Sequence, residues 1–475
     1  MKIFSKNFFL FVTLFAVTIF ICSCSGSKKT NLDDLLASVC NDASETIIAV
    51  HLDLFRIEAD FPNDNKNKVD MPRYLRDALN RYCPGQVAEV VTDVMEDGNI
   101  SDFVVFSESP GSPRVLAFGA NKKDKEKAEF VVKNNLTYVV FTEDSCMTGT
   151  NAENYISTLI DKAKLQPLSQ WKKDFLTQGD IINILTTSRL LKDTFEDKTM
   201  IPGLADVFIT GEFVKCSIGL QAQTAIVTIH TADSNGIEVK SEITGHFNPD
   251  LLQYAGADDF AAISLCLNEG TATKIAKKTE LPLNYLADSG LFISAGFKEG
   301  FTVTDFENPD AYHFVMAADL KPDKANEAYT AACKLISMTF ASLGTPSNSE
   351  GFKCVIFKIP YNTFFDYSTG EWASKYMNLR VGLDGNILVV SNGPILKDSG
   401  NIFDSRVFSN NALTLQVIAN AETVNLLQQF GLVDTQGLNV TLTSDNDMSK
   451  LEIIATGTTE RFLPAVFEFL SKFGL

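Results

Sequence analysis

Histidine is scarce. The 475 residues contain four, His51, His230, His246 and His313, and no two stand at a spacing that would hold a metal. No HExxH, phosphate-cradling glycine loop, GxSxG elbow or GxGxxG fingerprint occurs, so the common metalloprotease, nucleotide and serine-hydrolase chemistries have no foothold. Neither CxxC nor any Cys/His spacing suggests zinc. Positive charge is also short: 41 Lys and Arg stand against 59 Asp and Glu, for a net charge of −18. The only basic groups are short ones such as Lys122-Lys123 and Lys277-Lys278. A chain this acidic is poorly suited to nucleic acid and, taken as a whole, to anionic lipid surfaces.

The fragments of chemistry that remain are weak. His51 and Asp53 alternate onto one face of a strand, and the simplest reading is two polar residues on a solvated face. Ser169-Gln170-Trp171-Lys172 matches SxxK and Ser444-Asp445-Asn446 matches SDN. KTG is absent, the two elements fall in different halves, and SDN sits where a turn wants Asp and Asn. Asn63 to Asp70 has calcium-loop colouring but puts lysine where oxygen ligands belong and lacks the central glycine and closing glutamate. No catalytic residue, metal or cofactor is expected. The 36 phenylalanines need only a core, although Phe364-Phe365, beside Tyr361 and Tyr367, have the makings of the lining of a binding cleft.

The N-terminus is more specific. Lys2 and Lys6 precede an apolar run from Phe8 to Ile21 broken only by Thr13 and Thr18, too short for a comfortable membrane span. Ile21-Cys22-Ser23-Cys24 then fits a bacterial lipobox, with the aliphatic residue three places before the acceptor. Cys22 as acceptor would put bulky Ile21 at the cleavage site. Residues 1–23 therefore read as a signal peptide, Cys24 as the lipidated residue, and 24–39 as a tether. A multiply acylated cysteine anchors durably where a single chain does not. Cleavage removes two lysines and takes the charge to −20. Seven cysteines remain beyond the signal and the lipid, so at least one thiol is unpaired. Cys266 and Cys333 sit in apolar surroundings and read as buried small hydrophobes.

The body reads as a duplication. Ser44–Phe55 pairs with Asp258–Glu269, Asp102–Ser109 with Gly290–Phe297, and Arg114–Ala128 with Tyr312–Ala328. Thr137–Phe141 pairs with Cys354–Lys358, Gly179–Leu191 with Asn411–Leu427, and Val227–Gly245 with Val440–Gly457. Asp124 and Asp323 are expected to cap helices. Apolar positions at helical spacing mark helices over Met71–Cys83, Ala325–Phe340 and the stretch around Leu463–Leu470. Alternation in Ile47–Leu54 marks a strand with one covered face. The expectation is an α+β fold of two duplicated lobes, residues 40–257 and 258–475, each an antiparallel sheet covered by helices with ferredoxin-like βαββαβ elements.

On the lipobox and on the recurring units that begin at Glu45, Asp180, Asp259 and Asn411, the chain resembles the uncharacterised lipoproteins of the Bacteroides group assigned to a domain of unknown function. Each unit runs from a polar residue through an alternating strand and a polar break to a helix. The resemblance implies an envelope location and supplies no activity or site residues. Surface-exported lipoproteins of that group carry acids directly behind the cysteine. Here Lys28 and Lys29 come before Asp33 and Asp34, which points to the periplasmic side of the outer membrane. The expected function is a lipid-anchored envelope protein with a non-catalytic binding or scaffolding role toward an unknown protein or envelope ligand. An envelope hydrolase of unrecognised type and a structural assembly subunit are the alternatives.

Overall fold

A computed structural model describes residues 32–62, 69–82, 85–120, 124, 126–142, 145–199, 209–221, 223–240, 246–279, 283–298, 301, 311–347, 351–366, 368–369, 371–397, 400, 402–409, 411–419, 437–444 and 448–456. Cys24, the Asn63–Lys68 loop, Asp445-Asn446 and the helix expected around Leu463 lie outside the described residues.

The expectation of two separate helix-covered lobes is wrong. The described strands form one large antiparallel sheet of 19 members. Its first half holds β1 (Thr46–His51), β2 (Asp102–Ser107), β3 (Arg114–Gly119), β4 (Val131–Lys133), β5 (Leu136–Phe141), β6 (Cys146–Met147), β7 (Ile182–Thr187), β8 (Phe213–Gln221) and β9 (Thr224–Ala232). Its second half holds β10 (Asp259–Leu265), β11 (Leu286–Phe297), β12 (Tyr312–Leu320), β13 (Thr345–Ser347), β14 (Lys353–Asp366), β15 (Glu371–Asp384), β16 (Ile387–Ser391), β17 (Leu413–Ala419), β18 (Gly437–Ser444) and β19 (Ser449–Thr456). Across the first half, β5, β3, β2, β1, β7, β8 and β9 are successive neighbours. Across the second, β16, β12, β11, β10, β17, β18 and β19 follow the same order, with β15, β14 and β13 added outside β16. The halves fuse where β9 pairs with β19, Thr224 opposite Ile454 through Ile229 opposite Ser449. That pairing uses up one free edge from each half, so the sheet does not stop between them.

The ferredoxin-like order is not met: the helical link after β1 leads to β2, its immediate antiparallel neighbour, whereas a split βαβ unit leaves another strand between the two strands that a helix joins. The strand equivalences shift as well. The place of β5 is taken in the second half by β16, not by Cys354–Lys358, which lies in β14, two strands further out. By position in the sheet, β8–β9 matches β18–β19, so Val227–Ala232 corresponds to β19 and not to the strand beginning at Val440.

The helices explain the burial. β1 is buried on both faces, because Ile47 and Ala49 belong to one core and Ile48 and Val50 to another. On the first face lie α1 (Leu32–Val39), α5 (Gly149–Leu165) and α6 (Gln170–Leu176); on the second lie α2 (Leu52–Glu58), α3 (Arg73–Tyr82) and α4 (Gly85–Glu96). The alternation expected through Leu54 therefore ends at His51, where Leu52 starts a helix. Both Leu52 and Phe55 then drop into the same core as Ile48 and Val50. In the second half α9 (Ala325–Phe340) covers one face and α10 (Ser405–Ser409), with a short 3-10 turn at Pro249–Tyr254, the other. Two shorter links, α7 (Ser188–Thr199) and α8 (Glu269–Thr279), complete the described helices. Asp124 caps no α-helix: it is buried and accepts the Thr137 hydroxyl at 2.6 Å, and β4 follows. The N-cap of α9 is Lys324, one residue after Asp323.

Candidate functional site

Each candidate built around a histidine resolves into a structural knot. His51 ends β1, directly opposite Asp102, the first residue of β2. Its Nδ1 is 2.7 Å from Asp102 Oδ1 and its Nε2 is 3.2 Å from the Gln178 carbonyl oxygen. The Ser101 hydroxyl donates to Asp102 Oδ2 at 2.7 Å. Asp53, the partner expected from alternation, sits instead in the first turn of α2, 3.4 Å from the Arg56 guanidinium. The strand ends at His51 and Leu52 starts a helix, so the spacing of two no longer means a shared face.

A second knot of the same residue types was not visible in the sequence. Asp259, Gly296 and His313 lie opposite one another across β10, β11 and β12. Gly296 has no side chain, and His313 Nδ1 reaches across it to 2.9 Å from Asp259 Oδ1. The Ser294 hydroxyl and the Gly256 N–H both donate to Asp259 Oδ2, at 2.6 and 2.7 Å. A β-carbon on Gly256 or on Gly393 would come within about 3 Å of the imidazole, so glycine holds the ring from two further sides. The carboxylate is 1% exposed. In both knots serine donates to aspartate, not to histidine. A nucleophilic serine requires the reverse order, with histidine between the two, so neither constellation is set up for acyl transfer.

Ser169 and Lys172 also fail as a catalytic pair. Ser169 precedes α6, and the buried Lys172 ammonium donates to the Asp42 carbonyl at 2.8 Å and lies 3.2 Å from Asp42 Oδ1. Its cation stands 4.3 Å from the Phe213 ring centroid and 5.5 Å from that of Trp171. Hydrogen bonds from Ser169 and Lys172 hold the Asp42 carboxyl below its ordinary range, against the opposing effect of partial burial. An ammonium fixed this way is a lock between α6 and the segment before β1, not a base. Another buried charge is Arg56. Its guanidinium donates to the carbonyls of Val94, Met95, Asp97 and Ile100 at 2.8–3.2 Å, closing the C-terminus of α4. Burial pulls its pKa down to about 10. Among the described residues no group of His, Cys, Asp and Glu is placed to hold a metal ion.

Two surfaces remain. Where the halves join, Lys215 and Ser217 of β8, Thr228 and His230 of β9, Lys450 and Glu452 of β19, and Thr441 and Thr443 of β18 share one face. Most of this polar band is paired: Lys215 pairs with Glu238, Lys450 with Glu452, and Ser217 with Thr228, while His230 Nδ1 lies 3.4 Å from Glu238. The other surface is the hairpin of β14 and β15. Each strand is 14 residues long. The α9 core holds Phe357 and Ile359 of β14 and Leu379, Val381 and Leu383 of β15, so the hairpin runs on past the covered part. On that extension Trp372 is 73% exposed and Tyr376 56%. The two lie on one face of β15, with Ser374 between them. Phe364 and Phe365 pair with Ala373 and Trp372 in the same extension. Tyr361, Phe364 and Phe365 of the cluster noticed in the sequence thus fall in β14.

No protein-family model, curated protein or solved structure matches this chain.

Proposed function

We propose that this is a lipid-anchored envelope protein that binds a partner without transforming it, and that the β14–β15 hairpin is its contact surface. One observation carries the binding role: a Trp–Tyr pair held out on a hairpin extension, where folding alone gives no return for exposing it. Large aromatic side chains supply most of the energy of contact surfaces, and Trp and Tyr dominate their hot spots. The locked states of His51, His313 and Lys172 support a non-catalytic role, since both ring nitrogens of His51, Nδ1 of His313 and the Lys172 ammonium are committed to neighbours. The anchor rests on the Ile21–Cys24 lipobox and on the resemblance to Bacteroides-group lipoproteins, which also favours the periplasmic side of the outer membrane.

Two experiments test this reading. Metabolic acyl labelling of the protein should vanish in Cys24→Ala, and retained label would refute the anchor. A photo-reactive residue at position 376 should form adducts in intact cells that the same residue at exposed Leu165, the last residue of α5, does not form. Equal yields at the two positions would refute the hairpin as the contact surface.

A further inference from the structure

The register of the hairpin narrows the choice of partner. Trp372, Ser374, Tyr376, Asn378 and Arg380 alternate onto one face of β15. Glu371, Lys375, Met377 and Leu379 take the other face, the one that α9 covers further in. Asp366 is the register partner of Glu371. Opposite the first set, β14 brings Thr363 to Ser374, Pro360 to Tyr376 and Lys358 to Asn378. Lys358, Pro360, Tyr376 and Asn378 are exposed, so nothing among the described residues covers this end of the face. Three features limit what it can hold. First, its rings are not contiguous. Trp372 and Tyr376 stand four residues apart, about 13 Å along the strand. The hydroxyls of Ser374 and Thr363, 3.0 Å from each other, lie between them. A protein hot spot gathers its rings into one desolvated centre, and here hydroxyls divide them. Second, strand addition is obstructed. β13 covers β14 only from Cys354 to Ile356, and beyond it an added strand would meet Pro360, which has no N–H, and the register shift that follows. Third, the charge is one-sided. Lys358 and Arg380 lie on this face inward of Tyr376, while Glu371 lies on the other.

A sugar chain has the matching construction. One face of a pyranose is a patch of C–H groups, which lies against the negative face of an aromatic ring, and its rim carries hydroxyls. Hydroxyls such as those of Ser374 and Thr363 both donate and accept toward such a rim. Trp372, Tyr376 and Arg380 recur at one spacing along β15, two rings and then a cation. A guanidinium takes a carboxylate through two parallel N–H bonds. We propose that the face of the β14–β15 hairpin bearing Trp372 and Tyr376 binds a glycan with widely spaced acidic sugars. Two sugars stack on the rings, the span between them passes over the hydroxyl pair, and an acidic sugar is held by Arg380 and Lys358. This rests on the reading of the hairpin as a contact surface and names its ligand. The wide spacing of the acids follows from charge. A net of −18 repels a dense polyanion along its whole length. An acidic group every few sugars meets the two cations instead, and screening confines the remaining repulsion to about 10 Å.

The test is electrophoresis of mature Cys24→Ala protein, which carries no lipid, through native gels that contain a polymer. Gellan is the probe, because uncharged sugars separate its glucuronates. Dextran is the neutral control, and polygalacturonate and single-stranded poly(dT) are the dense polyanions. Gellan should retard the protein more than the other three do. Trp372→Ala/Tyr376→Ala should weaken that retardation at least tenfold, and Lys358→Glu about fivefold. Lys375→Gln, on the opposite face, should leave it unchanged. All four positions are exposed, so circular dichroism should show each variant folded. Equal mobility in gellan and dextran, or full retardation of the aromatic double variant, overturns the proposal. So does stronger retardation by polygalacturonate or poly(dT), which would mark a surface for any polyanion. Because the lipid is absent throughout, failure of the Cys24 anchor leaves this result untouched. Protein that ignores gellan yet still forms adducts from position 376 in cells would remove the glycan as ligand and leave the contact surface standing.

Discussion

Asp259 gives the sharpest test of the view that the histidine clusters are structural. Its carboxylate is almost wholly buried and takes three donors, from Ser294, Gly256 and His313. An ionised carboxylate only accepts, so His313 must donate from Nδ1. Asp259→Asn keeps the shape. Its amide oxygen can still serve Ser294 and Gly256, and its amine can face His313 if the imidazole changes tautomer. The loss is then the charge assistance, about 1–1.5 kcal/mol on each of two bonds, or about 2–3 kcal/mol in all. Asp259→Ala strands all three donors at the start of β10 and should cost about 4–5 kcal/mol, in the range for breaking a buried polar network. Urea unfolding followed by circular dichroism gives the total. Amide exchange over residues 259–265 and 312–316 shows whether the loss is local to β10 and β12. The reasoning fails if Asp259→Ala unfolds within about 0.5 kcal/mol of the parent, the range of a surface change. It also fails if Asn costs as much as Ala.

Arg56→Met keeps the apolar stem and removes the donors to four carbonyls, so stability should fall by about 3–4 kcal/mol, with faster amide exchange at 94–102; unchanged exchange there would contradict the capping role. Burial raises the thiols of Cys146 to about 11 and of Cys216 and Cys266 to about 12, while in the unfolded chain they ionise near 9. The unfolded state then binds fewer protons above pH 9, so stability should drop by about 1 kcal/mol per thiol per pH unit between pH 9 and the folded values, and Cys216→Ala should flatten that slope. A urea midpoint constant from pH 8 to 10.5 would refute it. Gly393→Ala places a β-carbon about 3 Å from the His313 ring and should destabilise by about 1–3 kcal/mol, read from the same urea curves.

Much of the local structure could be read from residue order, and most of the long-range structure could not. The stripe from Met71 to Leu79 gives α3, and the apolar pattern of Ala325–Ile336 gives α9, because helical burial is a local property. The repeated order of strands was detectable, yet the matches at Cys354 and Val440 slid onto the wrong strands. Val-Ile-Phe in β14 and Val-Thr-Leu in β18 look like their counterparts because every strand buried on one side draws on the same few residues. Pairing is settled by neighbours hundreds of residues away, and a one-strand slip costs nothing in composition. The site was legible in the same uneven way. An aromatic cluster at 361–367 was visible, but Trp372 and Tyr376 gain their meaning from a hairpin that outruns α9, which only the sheet shows. His51 stood out because a carboxylate lay two residues on. Its real partner, Asp102, and the whole of the Asp259–His313 knot are cross-strand contacts that no spacing rule reaches.

The continuity of the sheet and the repetition of its halves have one physical origin. A half that ended at β9 or at β19 would present a long unpaired strand, alternately apolar, to water. Val227 and Ile229 lie on one face of β9, and Leu451 and Ile453 on the same face of β19. Such an edge invites aggregation. Two halves of one chain can answer each other's edge at high effective concentration, and the antiparallel register from Thr224–Ile454 to Ile229–Ser449 does so. The two edges left over are each blunted differently. β5 is partly covered by the short strands β4 and β6, and β14 by β13, Pro360 and its register shift. An edge made unfit for another strand is free to carry a different kind of contact, and that is where Trp372 and Tyr376 are placed. If the outer edge were merely a leftover, replacing Pro360 with Val and exposing a regular ladder should leave the protein monomeric. If the proline is there to refuse strands, Pro360→Val should bring concentration-dependent association in sedimentation velocity, and that association should persist in Trp372→Ala/Tyr376→Ala.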